Sequence, residues 1–343
     1  MKHNNELKLH FINVGHGDAT IIEFPDYGSP RQAHFGVVDF GAETKANRKH
    51  TTEYMNALVK LRKDGDDAFE YSIDFVCVTH PHNDHYGGLR RFLDVFADKD
   101  DADNNMIGSF WDCGFRTNSV TYNKVLDDIA RNKNIVFTRV AAGSEFKFGE
   151  TRVTILGPSV DLRNRFDTFG INKNNASIVL KIKFRNSYVI LAGDAQFASW
   201  GKVTEEFPRQ SHITFFKDAL GLAKREETSD QLKCNLLRTS HHGSKHGTSL
   251  EYLERIKPKY VVTSAGDDNY YRGVSRHKAG DFPHQLVKKI LDVLDINLNK
   301  FVTGEEGNII FRYDGGWNPI SFSYEKSIPG TSGFLNWLEN AWG

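Results

Sequence analysis

Three imidazoles and one carboxylate fall within six residues in Thr79-His80-Pro81-His82-Asn83-Asp84-His85-Tyr86-Gly87-Gly88, directly after the apolar run Phe75-Val76-Cys77-Val78. Polar groups at that density are costly to bury without a strong partner, and a divalent cation is such a partner. Pro81 stops the segment from continuing as a regular ladder, so the four side chains can converge from a turn. Gly87 and Gly88 then permit a tight turn into a helix starting at Leu89. Imidazole and carboxylate without thiolate suit one or two zinc ions, with manganese or iron as alternatives. Two later segments end apolar strands in the same ligand types: Ile190-Leu191-Ala192-Gly193-Asp194 and Leu237-Arg238-Thr239-Ser240-His241-His242-Gly243-Ser244. The expected ligands are His80, His82, Asp84, His85, Asp194 and His241.

Two cations about 3.5–4 Å apart can hold a water between them, lower its pKa toward ~7 and present it as hydroxide. The same ions polarise the carbonyl or phosphoryl oxygen under attack. No Ser-His-Asp arrangement stands out, and none is needed. Asp84 and Asp194 would organise the reacting centre, and His242 would serve either as the acid for the leaving group or as a structural residue. Asp18 and Asp39 read either as carboxylates that orient metal-bound imidazoles or as turn formers beside glycine. Gly243-Ser244-Lys245-His246-Gly247-Thr248-Ser249 supplies backbone donors, hydroxyls and a cation suited to phosphate oxygens, with Ser244 and Lys245 as the contacts. The same loop also reads as a solvated turn in which Thr248 or Ser249 caps a helix at Leu250.

These residues need strand ends to carry them. Leu7 to Val14 and Ala19 to Phe24 read as strands around Gly15-His16-Gly17-Asp18, and His34 to Asp39 as a third. Thr52 to Lys63 has helical spacing in Tyr54, Leu58 and Leu61, and Ile73 to Thr79 reads as a buried strand. A helix at Val120 to Arg131 follows, with strands near Val136, Val153, Ile178 to Phe184, Tyr188 to Leu191, Leu236 and Tyr260 to Thr263. This alternation predicts an α/β protein with functional residues at strand ends.

The sequence resembles the metallo-β-lactamase superfamily, and within it the ComEC-like competence hydrolases, from Leu7 to about Phe311. The resemblance rests on Asn13-Val14-Gly15-His16-Gly17-Asp18, Val38-Asp39-Phe40-Gly41, the His80 to Gly88 block, Asn174-Asn175-Ala176-Ser177, Gly193-Asp194 and His241-His242-Gly243-Ser244-Lys245. It implies an αββα sandwich of two mixed sheets covered by helices, with metals at one edge. It further implies that His80 and His82 hold a first metal, that Asp84, His85 and His241 hold a second, and that Asp194 bridges them. Four departures stand out. Lys173-Asn174-Asn175 occupies the segment from which many members supply a third histidine to the first metal, so Asn175 is the expected weak ligand or substrate contact. The family's later histidine has two candidates here, His277 and His284. His16 stands where ComEC-like chains usually carry glutamine, and nothing resembles their transmembrane channel. Resemblance and loop chemistry together favour a phosphodiesterase or nuclease acting on DNA or another nucleic acid. A small ester, lactone or amide hydrolase, and a non-catalytic metal-binding docking subunit, are the alternatives.

At 343 residues the chain can bury a substantial core. Its 44 basic residues balance 44 acidic ones, so no global positive field draws in polyanions. Cys77, Cys113 and Cys234 show no paired spacing and read as reduced thiols of a cytoplasmic protein. No apolar run suits a signal peptide or a bilayer span, so no membrane insertion is expected. Residues 1–313 are expected to form the hydrolase domain, with insertions at about 98–103, 200–231 and 270–281. Residues 314–343 then form an extension. Its Phe334, Trp337, Leu338 and Trp342 make an aromatic stripe on a helix, which would either fold back onto the core or dock on a partner or a second copy of the chain.

Overall fold

A computed structural model describes residues 1–41, 44–97, 105–115, 117–161, 173–208, 231–266, 282–296 and 299–343, and the fold is that of these residues. The expected insertions at 98–103 and 270–281, most of 200–231, and His277 lie outside them.

Alternation of side chains decides the layering. Along β1 (Leu7–Phe11), Leu7, Leu9 and Phe11 face one core while Lys8 and His10 face the other way, and all are buried. β2 (Ala19–Glu23), β3 (Gln32–Phe40), β4 (Glu70–Val78), β5 (Ile107–Asp112) and β6 (Val136–Arg139) extend the same sheet, with β14 (Asn308–Tyr313) and β15 (Ser321–Glu325) on its far side. The order is β15-β14-β1-β2-β3-β4-β5-β6. In β4, Phe75 and Cys77 enter the core between the sheets, whereas Val76 and Val78 enter the core outside the first sheet. The second sheet comprises β7 (Glu145–Phe148), β8 (Thr151–Gly157), β9 (Val179–Phe184), β10 (Ser187–Leu191), β11 (Leu236–Arg238), β12 (Tyr260–Thr263) and β13 (Lys300–Val302), in the order β13-β12-β11-β10-β9-β8-β7. Val153, Ile155, Leu180, Ile182, Leu191, Leu236 and Val262 meet the inner face of the first sheet.

Helices close both outer faces. The chain forms α1 (His50–Lys63), α2 (Asn83–Tyr86), α3 (Leu89–Phe96), α4 (Val120–Arg131), α5 (Phe197–Glu206), α6 (Leu250–Ile256), α7 (Gln285–Val293), α8 (Thr303–Glu306) and α9 (Ser332–Trp342). Residues of α1, α3, α4 and α9 build the outer core of the first sheet, and those of α5, α6 and α7 that of the second. Two mixed sheets sandwiched between helices are the αββα arrangement. Parallel runs in each sheet, β3 to β6 and β10 to β13, bring the C-terminal ends of several strands to a common edge. The three cysteines are buried thiols. Among the described residues, no helix is long and apolar enough to cross a membrane.

The segment from 314 onward is part of this unit. β15 pairs antiparallel with β14, and Phe334, Leu338 and Trp342 of α9 are buried against Tyr54 and Leu58 of α1. Trp342 donates its indole N–H to Glu23 Oε2 at 2.9 Å, and its carbonyl accepts from Lys8 Nζ at 2.7 Å. That ammonium lies 3.2 Å from the centre of the indole ring. Arg62 holds the other oxygen of Glu23. The aromatic stripe therefore folds back on the chain's own core, the first of the two outcomes expected for it.

Candidate metal centre

The turn after β4, the turn after β10 and the turn after β11 deliver the polar residues to one edge. His82 is the residue at which the chain turns into α2, so Asp84 and His85 project from that short helix beside His80 and His82. Gly88 has an ordinary negative φ, and its role is proximity. A Cβ there would sit 2.5 Å from the carbonyl oxygen of Phe40 and 2.9 Å from that of Arg48. The tight-turn role expected for Gly88 is thus replaced by a close approach between α3 and the end of β3.

Asp194 lies between two sets of imidazoles. Its Oδ2 is 3.6 Å from His80 Nε2, which in turn is 2.8 Å from His82 Nδ1. Its Oδ1 is 3.3 Å from His85 Nε2 and 3.8 Å from His242 Nε2. Asp84 Oδ2 closes the second set at 3.2 Å from His242 Nε2 and 3.9 Å from His85 Nε2. Of the four groups with metal-binding potential among the described residues, two share Asp194: His80–His82–Asp194 and His85–Asp194–His242. The buried His85 Nε2 and Asp194 Oδ1 face each other with no hydrogen-bond partner. Buried polar atoms are normally satisfied, and a cation between them satisfies both. The donor set therefore fits divalent cations.

The groups behind these residues fix their tautomers. His85 Nδ1 donates to Asp39 Oδ2 at 2.9 Å, and Asp39 also accepts from the Thr79 N–H and hydroxyl. His242 Nδ1 donates to the Ser264 carbonyl at 2.8 Å. Each ring thus turns Nε2 toward the centre, as metal-ligating histidines commonly do. Asp18 pairs with the Arg238 guanidinium, which also donates to the Gly193 carbonyl. Ser177 Oγ accepts from the Asp194 N–H at 2.9 Å, so the Asn174 to Ser177 segment steadies Asp194. Burial opposes charge on His85, but Asp194, Asp39, Asp84 and Asp18 hold its pKa well above the usual histidine value. Burial likewise opposes charge on His242, and Asp194 and Asp18 push it up to about 9. Burial together with the His85 charge drives His80 well down, leaving a neutral imidazole able to coordinate a cation.

Of the expected site residues, His80, His82, Asp84, His85 and Asp194 come together. Of the two adjacent histidines, His242 stands beside Asp84 and His85. His241 points to the other oxygen of Asp194, with Nε2 3.8 Å from Oδ2. His242 has both nitrogens engaged inside the centre, which leaves none for a leaving group. Asn175 is spent elsewhere: its side-chain oxygen accepts from the Ser199 N–H at the start of α5. Its neighbour Asn174 reaches the centre instead, with Nδ2 3.2 Å from His241 Nε2. His284 caps α7 by accepting from the Leu286 N–H at 3.1 Å, and Ser244 Oγ accepts from the His246 N–H. Both are turn formers in this structure. Lys245 is exposed on the loop after His242. Two residues were not singled out as contacts by sequence. His16 gathers with Asp84 and His242, its ring 4.3 Å from that of His242 and 5.1 Å from Phe282. Lys173, held by Thr117 Oγ1 at 3.1 Å, lies close enough to His82 to disfavour its protonation, after burial and neighbouring charges. The departure from glutamine at position 16 was the one available signal for the first.

The sequence pattern described as Metallo-beta-lactamase superfamily matches residues 69–266. ComE operon protein 3 of Bacillus subtilis (strain 168) is 25% identical over 184 residues, a stretch that makes up 54% of this chain and 19% of that protein. The chain thus corresponds to less than a fifth of that relative's length. Among solved structures, the metallo-beta-lactamase fold protein YhfI from Bacillus subtilis superposes with a TM-score of 0.45 at 10% identity, over 89% of this chain and 99% of that one. A diphosphatase of the PhnP family superposes with a TM-score of 0.40 at 11% identity, over 86% and 94% of the two chains.

Proposed function

The chain belongs to the metallo-β-lactamase superfamily, and on that footing we propose that it is a two-cation hydrolase of phosphodiesters, with nucleic acid as the substrate class. The observation that carries the reading is the division of Asp194: one oxygen faces His80, the other His85 and His242. A single carboxylate placed in this way joins two cation sites. His80 and His82 would hold the first ion, and Asp84, His85 and His242 the second. Zinc is the ion that this donor set suits. Cations bound there would lower the pKa of a water toward ~7 and polarise the bond under attack.

The chain's own residues supply the rest. Asp39 and the Ser264 carbonyl take the Nδ1–H of His85 and His242, so Nε2 is the nitrogen each ring would offer to an ion once its proton is displaced. Lys173, its ammonium fixed by Thr117 within electrostatic reach of His82, would neutralise a non-bridging phosphate oxygen. Lys245, on the exposed loop, would act on the flanking backbone of a longer substrate. A neutral overall charge makes these local cations the means of holding a polyanion.

The test is turnover by metal-loaded protein on linear and circular DNA, RNA, a bis-aryl phosphate and a lactone, with and without chelator. Chelator-sensitive cleavage confined to the phosphodiesters is expected. Lys173→Ala should then lose about tenfold or more in kcat/KM on the phosphate and little on the lactone, since it removes a cation and leaves the attacking water untouched. Turnover of the lactone alone would refute the substrate assignment, and metal binding without any turnover would point to a docking subunit.

A further inference from the structure

We propose that His241 completes the first cation site, taking the place of the histidine that this chain lacks at Lys173-Asn174-Asn175. The proposal rests on the two-cation reading above and assigns a ligand within it.

His241 and His242 lie on consecutive left-handed residues, with φ of 51° and 54°. Residues with a Cβ adopt that conformation at a cost, and it persists where surrounding contacts impose it. Here the His241 N–H donates to the Gly193 carbonyl, one residue before Asp194, and the His241 carbonyl accepts from Ser244. The turn parts two adjacent imidazoles, leaving their ring centres 6.1 Å apart with planes inclined by 58°. Each ring then faces a different oxygen of Asp194. His242 takes the Oδ1 side with His85, and His241 takes the Oδ2 side with His80.

The distances from the shared carboxylate oxygen suit two ligands of one ion. Zinc–ligand bonds of about 2.1 Å place neighbouring ligand atoms roughly 3.4 Å apart in a tetrahedron. Asp194 Oδ2 lies 3.6 Å from His80 Nε2 and 3.8 Å from His241 Nε2. In the chain as it stands His241 Nε2 faces the Asn174 amide at 3.2 Å, a contact an ion would replace, and Nδ1 faces Gln196 at 3.0 Å. Asn174 belongs to the segment from which the histidine is missing. The imidazole has moved to another element, and the old segment contributes an amide that faces it.

The experiment counts ions. Wild type and the single variants His82→Ala, His241→Ala and His242→Ala, with the double variants His82→Ala/His241→Ala and His82→Ala/His242→Ala, would be titrated with zinc against a chromophoric chelator, and bound metal counted after gel filtration. Wild type should hold two ions, each single variant one. The double variant lacking His82 and His241 should still hold one, because both losses fall on one site, and the double variant lacking His82 and His242 should hold none. Removal of His241 should weaken the first ion by more than about 100-fold, beyond the 10- to 100-fold typical of a partner one step removed from the metal. His241→Gln, which keeps most of the volume, guards against a folding defect and should show the same loss, with an unchanged circular dichroism spectrum. Two ions at wild-type affinity in His241→Ala, or none in the His82/His241 double variant, would overturn the assignment. Failure of the wild type to bind any ion would instead overturn the two-cation reading on which it rests.

Discussion

Replacing Trp342 by alanine tests whether the last helix belongs to the core. The side chain is 4% exposed, packs with Phe334 and Leu338 over α1, covers the Lys8 ammonium and donates to the buried Glu23 carboxylate. Truncating a buried tryptophan to alanine costs about 3–5 kcal/mol in lost transfer energy and cavity. Trp342→Phe isolates the polar part. It keeps an aromatic ring but strips the indole N–H from a charged acceptor, worth about 1.5–3 kcal/mol. At roughly 1–2 °C per kcal/mol for 343 residues, the alanine variant should melt about 5 °C below wild type. Urea and thermal unfolding followed by far-ultraviolet circular dichroism give both numbers, and light scattering gives the molar mass, which should not change. A loss below about 1 kcal/mol, or a drop in mass without destabilisation, would refute the placement of this helix.

Asp39→Asn should weaken the second ion by about 10- to 100-fold, because an amide cannot accept from the Thr79 groups and from His85 Nδ1 in the way a carboxylate does; unchanged affinity in a chelator competition would exclude the orienting role. The raised pKa of His242, about 9 in the cation-free chain, makes a second prediction. A proton held more tightly folded than unfolded contributes stability that is fully present below about 6.5 and disappears as pH climbs through 9. The cation-free protein should therefore melt lower at pH 9.5 than at pH 6. Metal must displace that proton, so affinity should rise with pH across the same window, about tenfold per unit for each proton released. Calorimetric titration at pH 7.5 in buffers of different ionisation enthalpy counts the protons, and a count of zero would contradict the arrangement.

Much of the centre was legible because its chemistry is concentrated in sequence: His80 to His85 needed only one turn, and the apolar run before it announced a strand end. Strands β1 to β4 and α4 showed their periodicity and lie within a few residues of their expected bounds. What could not be read depended on which way a turn points. Choosing between His241 and His242, or Asn174 and Asn175, requires the left-handed backbone at 241 and 242 and the short helical turn at Lys173–Ala176, and neither leaves a mark on composition. His284 looked like a ligand because histidine is one; its nitrogen instead satisfies a helix terminus. The destination of α9 was hidden for a related reason, since an aromatic stripe specifies a surface to cover without naming it.

The clasp between the two ends of the described chain bears on how the protein is made. β1 has β2 on one side and β14 on the other, and its Lys8 and the Glu23 of β2 are covered by Trp342. During synthesis β1 thus stays an open edge, with charged groups uncovered, until β14 and α9, about three hundred residues further on, have been made. Sequence separations of this length slow folding, and edges left bare in the meantime invite pairing with other chains. Chains stopped before α9 would carry the residues of the candidate metal centre and still lack the cover over Lys8 and Glu23, which would leave them open to proteases and chaperones.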